Sequence, residues 1–436
     1  MGRLFHLLLI DPYHIYFGHQ MKIQDIDSFK QKALQWAATF AVSAYLDSNS
    51  YSDKHKKYDL ILAVGSRAQI SLRSGQAFDG LKLFYDDHKS WIFGLLAYEL
   101  KNEIEHLNSR NTDNLLFPEL FFFVPQHLIV IKNNDIEVVL GDKDIVDLIN
   151  HTTLREQRSS KVNIQSRISK ESYLDTVEKL RQHIIRGDIY EVNFCQEFFA
   201  EHAMINPLAV YRKLNQISPT PFSGFFKIND QYILSASPER FLCKRGNKLI
   251  SQPIKGTAKR SPDPEEDQLI KTRLHQDAKE QAENVMIVDL VRNDLTRSAM
   301  KGSVQVDELF GIYGFAQVYQ MVSTVSCQID PQLHIVDAIR NTFPMGSMTG
   351  APKIKAMELI EKYEASRRGA YSGAFGYINP EGDFDFNVII RTICYDASKQ
   401  YLSFQVGGAI TFASNAHDEY EECLLKASAI MQTLKN

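Results

Sequence analysis

One lysine and a set of paired carboxylates hold most of the chemical potential in this 436-residue chain. Lys255 lies in Gln252-Pro253-Ile254-Lys255-Gly256-Thr257, between an apolar residue and a Gly-Thr turn. An amine set there is partly desolvated, which disfavours the ammonium form and frees a nucleophile. Glu280 and Glu283 are three residues apart, so a helix carries both on one face. Glu419, Glu422 and Lys426 share a face in the same way. Two such helices facing each other present four carboxylates, a donor set suited to a hard divalent cation such as Mg²⁺. The same E-x-x-E spacing also describes a solvated acidic face, and spacing alone does not choose between them.

Arg391 reads as a charge within the apolar run Asn387-Val388-Ile389-Ile390-Arg391-Thr392-Ile393. Such a charge needs a carboxylate partner, from the protein or from a ligand. Gly407-Gly408 follows a strand-like run over 401–406, where it forms either a tight turn or a close approach to a ligand. Gly346 to Lys353 is glycine-rich and opens a helix, with Pro352 suited to the first turn. Its amides cap that helix or cradle a carboxylate. Its spacing is not that of a Walker A loop. There is no G-x-S-x-G and no histidine or cysteine metal motif.

These residues need elements to hold them. Tyr173, Val177, Leu180 and Ile184 recur at helical spacing, and Gly187 sits at the expected C-terminal cap. Strand-like runs follow at 190–199, 232–235 and 241–243, and a final helix covers 417–434. Before residue 150 the pattern mixes short apolar runs (60–64, 128–131, 138–140) with helix-like segments near 25–46 and 91–106. Leu4 to Ile10 reads as a first strand and not as a signal peptide, because no small-residue cleavage site follows. A polar connector is expected over 152–169. The expected class is mixed α/β (α+β), with more strands than simple βαβ units supply.

At 44% hydrophobic and 23% charged, with a formal net charge of −4, the composition is that of a soluble globular protein. It shows no signature of nucleic-acid binding. No apolar run reaches the roughly 20 residues that span a bilayer. The five scattered cysteines fit a reducing cytoplasm better than a disulfide framework.

Taken in order, these segments resemble the chorismate-utilising enzymes. The matching phrases are Gly187-Asp188-Ile189-Tyr190-Glu191-Val192-Asn193, Ser237-Pro238-Glu239-Arg240-Phe241 and Pro253-Ile254-Lys255-Gly256-Thr257. Glu283-Asn284-Val285-Met286 leads into Val291-Arg292-Asn293-Asp294. Later come the Gly346–Lys353 loop, Arg368-Gly369-Ala370-Tyr371-Ser372-Gly373-Ala374, Gly407-Gly408-Ala409-Ile410 and Glu419-Tyr420-Glu421-Glu422. The resemblance covers roughly residues 165–436 and marks them as the chorismate-binding catalytic region. Residues 1–150 match loosely, as an N-terminal part of the same synthase.

The resemblance implies a large two-layer β-sandwich flanked by helices, with the site between the layers. It implies chorismate as substrate and Mg²⁺ as cofactor, held by Glu280, Glu283, Glu419 and Glu422. Arg391 and Tyr371 would hold the enolpyruvyl side, and Lys426, Thr257 and the Gly407-Gly408 amides would complete the anion site. Lysine at position 255 marks the branch that aminates C4 through a covalent lysine adduct, with Glu239 as general acid. The branch that aminates C2 carries alanine there and is the alternative reading. A binding protein without catalysis is a third, disfavoured by the intact acid and lysine. The family usually has glutamine or lysine at position 191 and histidine at 320, where this chain has Glu191 and Gln320. No glutaminase signature is present, so ammonia is expected from a separate glutaminase subunit.

Overall fold

The computed structural model describes residues 20–22, 25–142, 144–155 and 162–435. The strand expected at Leu4 to Ile10 and part of the expected connector lie outside them. Two large sheets dominate, and every pairing between their strands is antiparallel. The 12-stranded sheet runs 20–22, 135–140, 127–132, 60–64, 42–47, 222–228, 231–237, 392–396, 401–410, 191–200 and 350–351, with 165–166 beside 191–200. The 10-stranded sheet runs 254–259, 318–328, 248–252, 240–245, 384–388, 374–378, 92–96, 120–124 and 68–72, with 305–314 beside 318–328. Segments before and after residue 150 contribute one contiguous block each to both sheets, joined at the 42–47/222–228 pairing in the larger and the 92–96/374–378 pairing in the smaller.

The alternation of side chains along each strand sorts the core into layers. Ile61 and Ala63 of one sheet, with Phe93, Leu95, Phe121 and Phe123 of the other, share the cluster between the sheets. Leu60, Leu62 and Val64, on the opposite face, pack under the helices Ile26–Ala37, Lys170–Ile185 and Pro207–Ile217. Ile92, Leu96 and Phe122 pack under Ala77–His88, Ala278–Thr296 and Ile335–Thr342. Because both faces are covered, strands such as Leu60–Val64 and Ile92–Leu96 are apolar throughout and buried at every position.

That double burial misleads a reading by periodicity. The helix-like segment 25–46 is a helix over Ile26–Ala37 and then a strand over Val42–Asp47. The segment 91–106 is a strand over Ile92–Leu96, followed by a short 3₁₀ turn and a single helical turn. A short run apolar at every position carries no period to distinguish helix from strand. The C-terminal expectations fare better. Helices form over Lys170–Ile185 and Ala416–Leu434, strands over Glu191–Ala200 and Gln231–Ser237, and Gly187 takes a left-handed φ of 82°.

Candidate active site

A cleft of about 1000 Å³ opens where the two sheets diverge, and every sequence-predicted site residue except Gly408 lines it. Gly408 lies in the adjoining strand and faces the same acidic helix. Two chain crossovers between the sheets build its floor. The first, Ser237-Pro238-Glu239-Arg240, links strand Gln231–Ser237 of the larger sheet to Arg240–Arg245 of the smaller. The second, 389–391, links Phe384–Val388 of the smaller sheet to Thr392–Asp396 of the larger. Arg391 therefore sits at a joint between strands and not inside one, contrary to the sequence reading. Its φ is 52°, a left-handed conformation that costs a non-glycine residue about 1–3 kcal/mol and clusters at functional sites. Backbone hydrogen bonds brace the joints: Ala236 N–H donates to Arg391 C=O at 3.1 Å, and Val388 N–H to Glu239 C=O at 3.0 Å. Burial pushes the Arg391 guanidinium down, and the nearby Tyr371 and Glu422 oppose that shift.

Lys255 reaches the cleft through a strand irregularity. Strand Ile254–Lys259 pairs with Val318–Gln328, but the register slips between Ile254 and Thr257. Gly256 takes φ 88° inside that bulge, and a Cβ there would stand 3.2 Å from Glu280 Oε2. The bulge re-aims the side chain that a regular pleat would direct elsewhere. Lys255 Nζ donates to Glu191 Oε1 at 2.5 Å, and the two side chains are 9% and 1% exposed. Burial alone would push the ammonium down. The carboxylates of Glu191, Glu283 and Glu239 outweigh it and hold the Lys255 pKa above the ordinary lysine range. The expected free amine is thus corrected: in this arrangement Lys255 is an ammonium, because the pocket that desolvates it also surrounds it with negative charge.

Glu239 is buried, and burial pushes its carboxyl up to about 7 against the opposing pull of Ser347 and Lys255. The Ser347 hydroxyl donates to Glu239 Oε1 at 2.6 Å. Ser347 belongs to the glycine-rich loop, so that loop serves the acid through a side chain. Its own amides turn inward, as in Met348 N–H to Met345 C=O and Thr349 N–H to Gly346 C=O. Sequence reasoning left the loop as a helix cap or an amide cradle and missed this side-chain contact; a serine between Gly346 and Met348 is the local hint.

Each acidic pair has one member, Glu280 or Glu419, in a capped first turn and the other, Glu283 or Glu422, one turn further on. Asp277 caps the helix carrying Glu280 and Glu283, accepting from Lys279 and Glu280 N–H. Asn415 caps the helix carrying Glu419 and Glu422, accepting from His417 and Asp418 N–H. First-turn carboxylates also gain from the helix dipole. The two helices bring all four carboxylates to one wall of the cleft. Lys279, unnoticed in the sequence, lies between them at 3.8 Å from Glu283 and 3.9 Å from Glu419. Burial pushes Glu283 up to about 7 and raises Glu280 and Glu419. Lys426 pairs with Glu422 at 2.7 Å, holds that carboxyl down and donates to Gly407 C=O at 3.1 Å.

Gly407 and Gly408 lie within strand Tyr401–Ile410, paired with Cys195 and Phe194, and form no turn. A Cβ at Gly407 would fall 2.0 Å from Phe194 C=O. One at Gly408 would stand 3.2 Å from Glu419 Oε2 and 3.6 Å from Lys426 Nζ. Glycine here lets the sheet approach the acidic helix. Tyr371 is buried beside Cys195, with its hydroxyl 3.4 Å from the thiol. Thr257 stands opposite Gln320 in the strand pairing. Among the described residues, two buried acceptors that line this cleft, Glu283 Oε1 and Gln320 Oε1, and a third behind Lys255, Glu191 Oε2, have no hydrogen-bond partner. Buried polar atoms are ordinarily satisfied, so their convergence marks a ligand site.

Residues 35–432 match the family described as chorismate binding enzyme. The chain belongs to this family. Aminodeoxychorismate synthase component 1 of Escherichia coli is 34% identical over 348 residues, 78% of this chain and 76% of that protein. Anthranilate synthase component 1 of Thermus thermophilus is 33% identical over 359 residues, 79% of this chain and 77% of that one. The crystal structure of anthranilate synthase component I from Streptococcus pneumoniae matches with a TM-score of 0.75 at 27% identity, covering 87% of this chain and 95% of that one. The expected mixed fold with two large sheets is the fold of this chorismate-binding enzyme. Among the described residues, no helix is long and apolar enough to cross a membrane.

The chemistry of the acidic wall of this chorismate-binding enzyme fits a divalent cation. Its donors are hard oxygens, Glu283 Oε1 accepts no hydrogen bond, and burial disfavours the charge on three of the four carboxylates. Among the described residues no three acidic, histidine or cysteine groups already close on one point. That suits an ion held by one or two carboxylates, with water and substrate oxygens completing its shell. Glu283→Gln removes a buried ionised group. Without metal at pH 8 it is expected to raise Tm by on the order of 2 °C and to erase any Mg²⁺-dependent rise, both read by thermal denaturation. The sign follows from the raised folded pKa. Between about 4.5 and 7 the native state binds the extra proton, so stability falls as pH rises and the penalty is complete above 7.

Proposed function

We propose that this chain converts chorismate and ammonia to 4-amino-4-deoxychorismate, as an aminodeoxychorismate synthase component 1. The observation that carries the reading is Lys255, bulged into the cleft beside a buried carboxyl poised near neutrality. Relatives of both aminating branches are about equally similar in overall identity, so the site residues decide. The Lys255 amine attacks C2 of chorismate while the C4 hydroxyl leaves. The C1=C2 and C5=C6 electron pairs shift around the ring, and Glu239 delivers a proton so that water departs. Ammonia then attacks C4, the electron pairs shift back, and the C2–N bond to Lys255 breaks. Glu239 recovers its proton from the new C4 ammonium.

Arg391, partly buried beside Tyr371, binds the enolpyruvyl carboxylate, and the restricted space of the joint orients it. Glu280, Glu283, Glu419 and Glu422 would hold Mg²⁺, which when bound draws negative charge from the ring carboxylate. Thr257, Lys426 and the Gly407-Gly408 backbone border the same end. Beyond Ser403 the strand Tyr401–Ile410 is paired on one side only, so alternate amides face away from that partner. Ammonia comes from a separate glutaminase subunit. The five free, buried thiols support a reducing, cytoplasmic setting.

Product identification by liquid chromatography and mass spectrometry tests the reading, with chorismate, Mg²⁺ and excess ammonium at mildly basic pH. The expected product is aminated and non-aromatic, and a lyase converts it to p-aminobenzoate. Fluorescent anthranilate would overturn the proposal in favour of the C2-aminating branch.

A further inference from the structure

A lysine that must attack as an amine is held here as an ammonium, so its proton needs a destination. We infer that Glu191 is that destination, the catalytic base that takes the proton from Lys255 and releases its nucleophilic amine. The inference rests on the covalent reading above. Glu191 opens strand Glu191–Ala200, and its carboxylate is fixed against Lys255 at 2.5 Å. That places Nζ and Oε1 at direct proton-transfer distance. At 1% exposure its carboxylate is shut off from solvent, so it meets the Lys255 proton without a hydration shell of its own. Its second oxygen, Oε2, is buried without a partner, which leaves lone pairs free for a proton.

Glu191 from the strand, Glu239 from the crossover and Glu283 from the helix are the three carboxylates that act most strongly on the Lys255 ammonium, and Glu422 of the terminal helix adds to them. Glu239 has to begin protonated in order to give its proton to the departing hydroxyl, and Ser347 donates to its other oxygen. Glu283 belongs to the acidic wall. Glu191 is the only one of the three in hydrogen-bond contact with Nζ.

The step balances. Lys255–NH₃⁺ and Glu191–COO⁻ become Lys255–NH₂ and Glu191–COOH, with no change in net charge. The exchange removes two opposite charges from a buried site as the dianionic substrate arrives, so it proceeds within the pocket. The amine then forms the N–C2 bond. When ammonia later expels Lys255 as a neutral amine, Glu191–COOH returns its proton and the ion pair is restored.

The test isolates the first half-reaction. Protein, chorismate and Mg²⁺ are mixed without ammonia, and intact-protein mass spectrometry follows the rate at which the Lys255 adduct appears. Glu191→Gln is expected to form adduct at least about 100-fold more slowly at pH 7.5, with chorismate affinity within a few-fold of the parent. Below about pH 7 its rate should climb with pH, because solvent must now remove the proton, until loss of the Glu239 acid offsets the gain. Glu191→Asp, which keeps a carboxylate one methylene further away, should recover part of the rate. A Glu191→Gln protein that forms adduct as fast as the parent overturns the base and leaves Glu191 a clamp. If that variant fails to fold, Glu191→Asp decides alone, and an undiminished adduct rate has the same meaning. Failure of the covalent reading is distinct, since the parent protein itself would then show no adduct.

Discussion

Replacing Lys255 with alanine is expected to lower formation of the C4-aminated product at least about 1000-fold, while chorismate binding changes by no more than a few-fold. The size follows from losing a covalent route and not one hydrogen bond. Ammonia at C4 needs an electron flow that begins at C2, and Lys255 is the nucleophile proposed to start it. Whatever amination survives should come from direct attack of ammonia at C2 and appear as the ortho product. Removing Lys255 also leaves Glu191 buried without its cation, and stranding one partner of a buried pair costs about 3–5 kcal/mol. The variant should therefore denature at a visibly lower temperature. Product ratio by liquid chromatography, beside a thermal scan, separates lost chemistry from lost fold. Full C4 amination by the alanine variant would remove Lys255 from the mechanism.

The second large effect belongs to Glu239. Glu239→Gln should slow adduct formation by about 10²–10⁴-fold, the usual contribution of a general acid. Its pH dependence carries a sign. Burial lifts this carboxyl to about 7, so the acid is protonated below that value and lost as pH rises through it. The parent rate, measured without ammonia so that ammonia's own titration does not intrude, should fall on the alkaline side of about pH 7. The glutamine variant should lose that limb. Ser347→Ala is expected to move the limb upward, because the hydroxyl stabilises the ionised form. An unchanged profile in Glu239→Gln would assign the limb to another group.

Much of the site was legible in local spacing. The i, i+3 carboxylates needed only a helix to share a face, and Asp277 and Asn415 cap those helices from within a few residues. Lys255 read as preceding a Gly-Thr turn, where the structure has a strand whose register shifts around Gly256 at φ 88°. The terminal helix and the strand-like run at 190–199 were both placed correctly from the sequence. Arg391 was misplaced within a strand, since a chain that passes from one sheet to another keeps its apolar character through the crossing. Gly407-Gly408 looked like a turn, because the strand opposite it, which explains both glycines, lies more than 200 residues away.

The sequence by itself named the groups proposed for this chemistry. Local residue type and helical spacing singled out Lys255, the four carboxylates and Arg391, and the family resemblance added Glu239. Only the tertiary structure decided their states. Lys255 is an ammonium because Glu191, Glu239 and Glu283 converge on it from three elements far apart in the chain, and Glu239 is near neutrality because two sheets enclose its crossover. Charge state depends on distance and burial, and both arise from contacts between residues that the chain itself holds far apart.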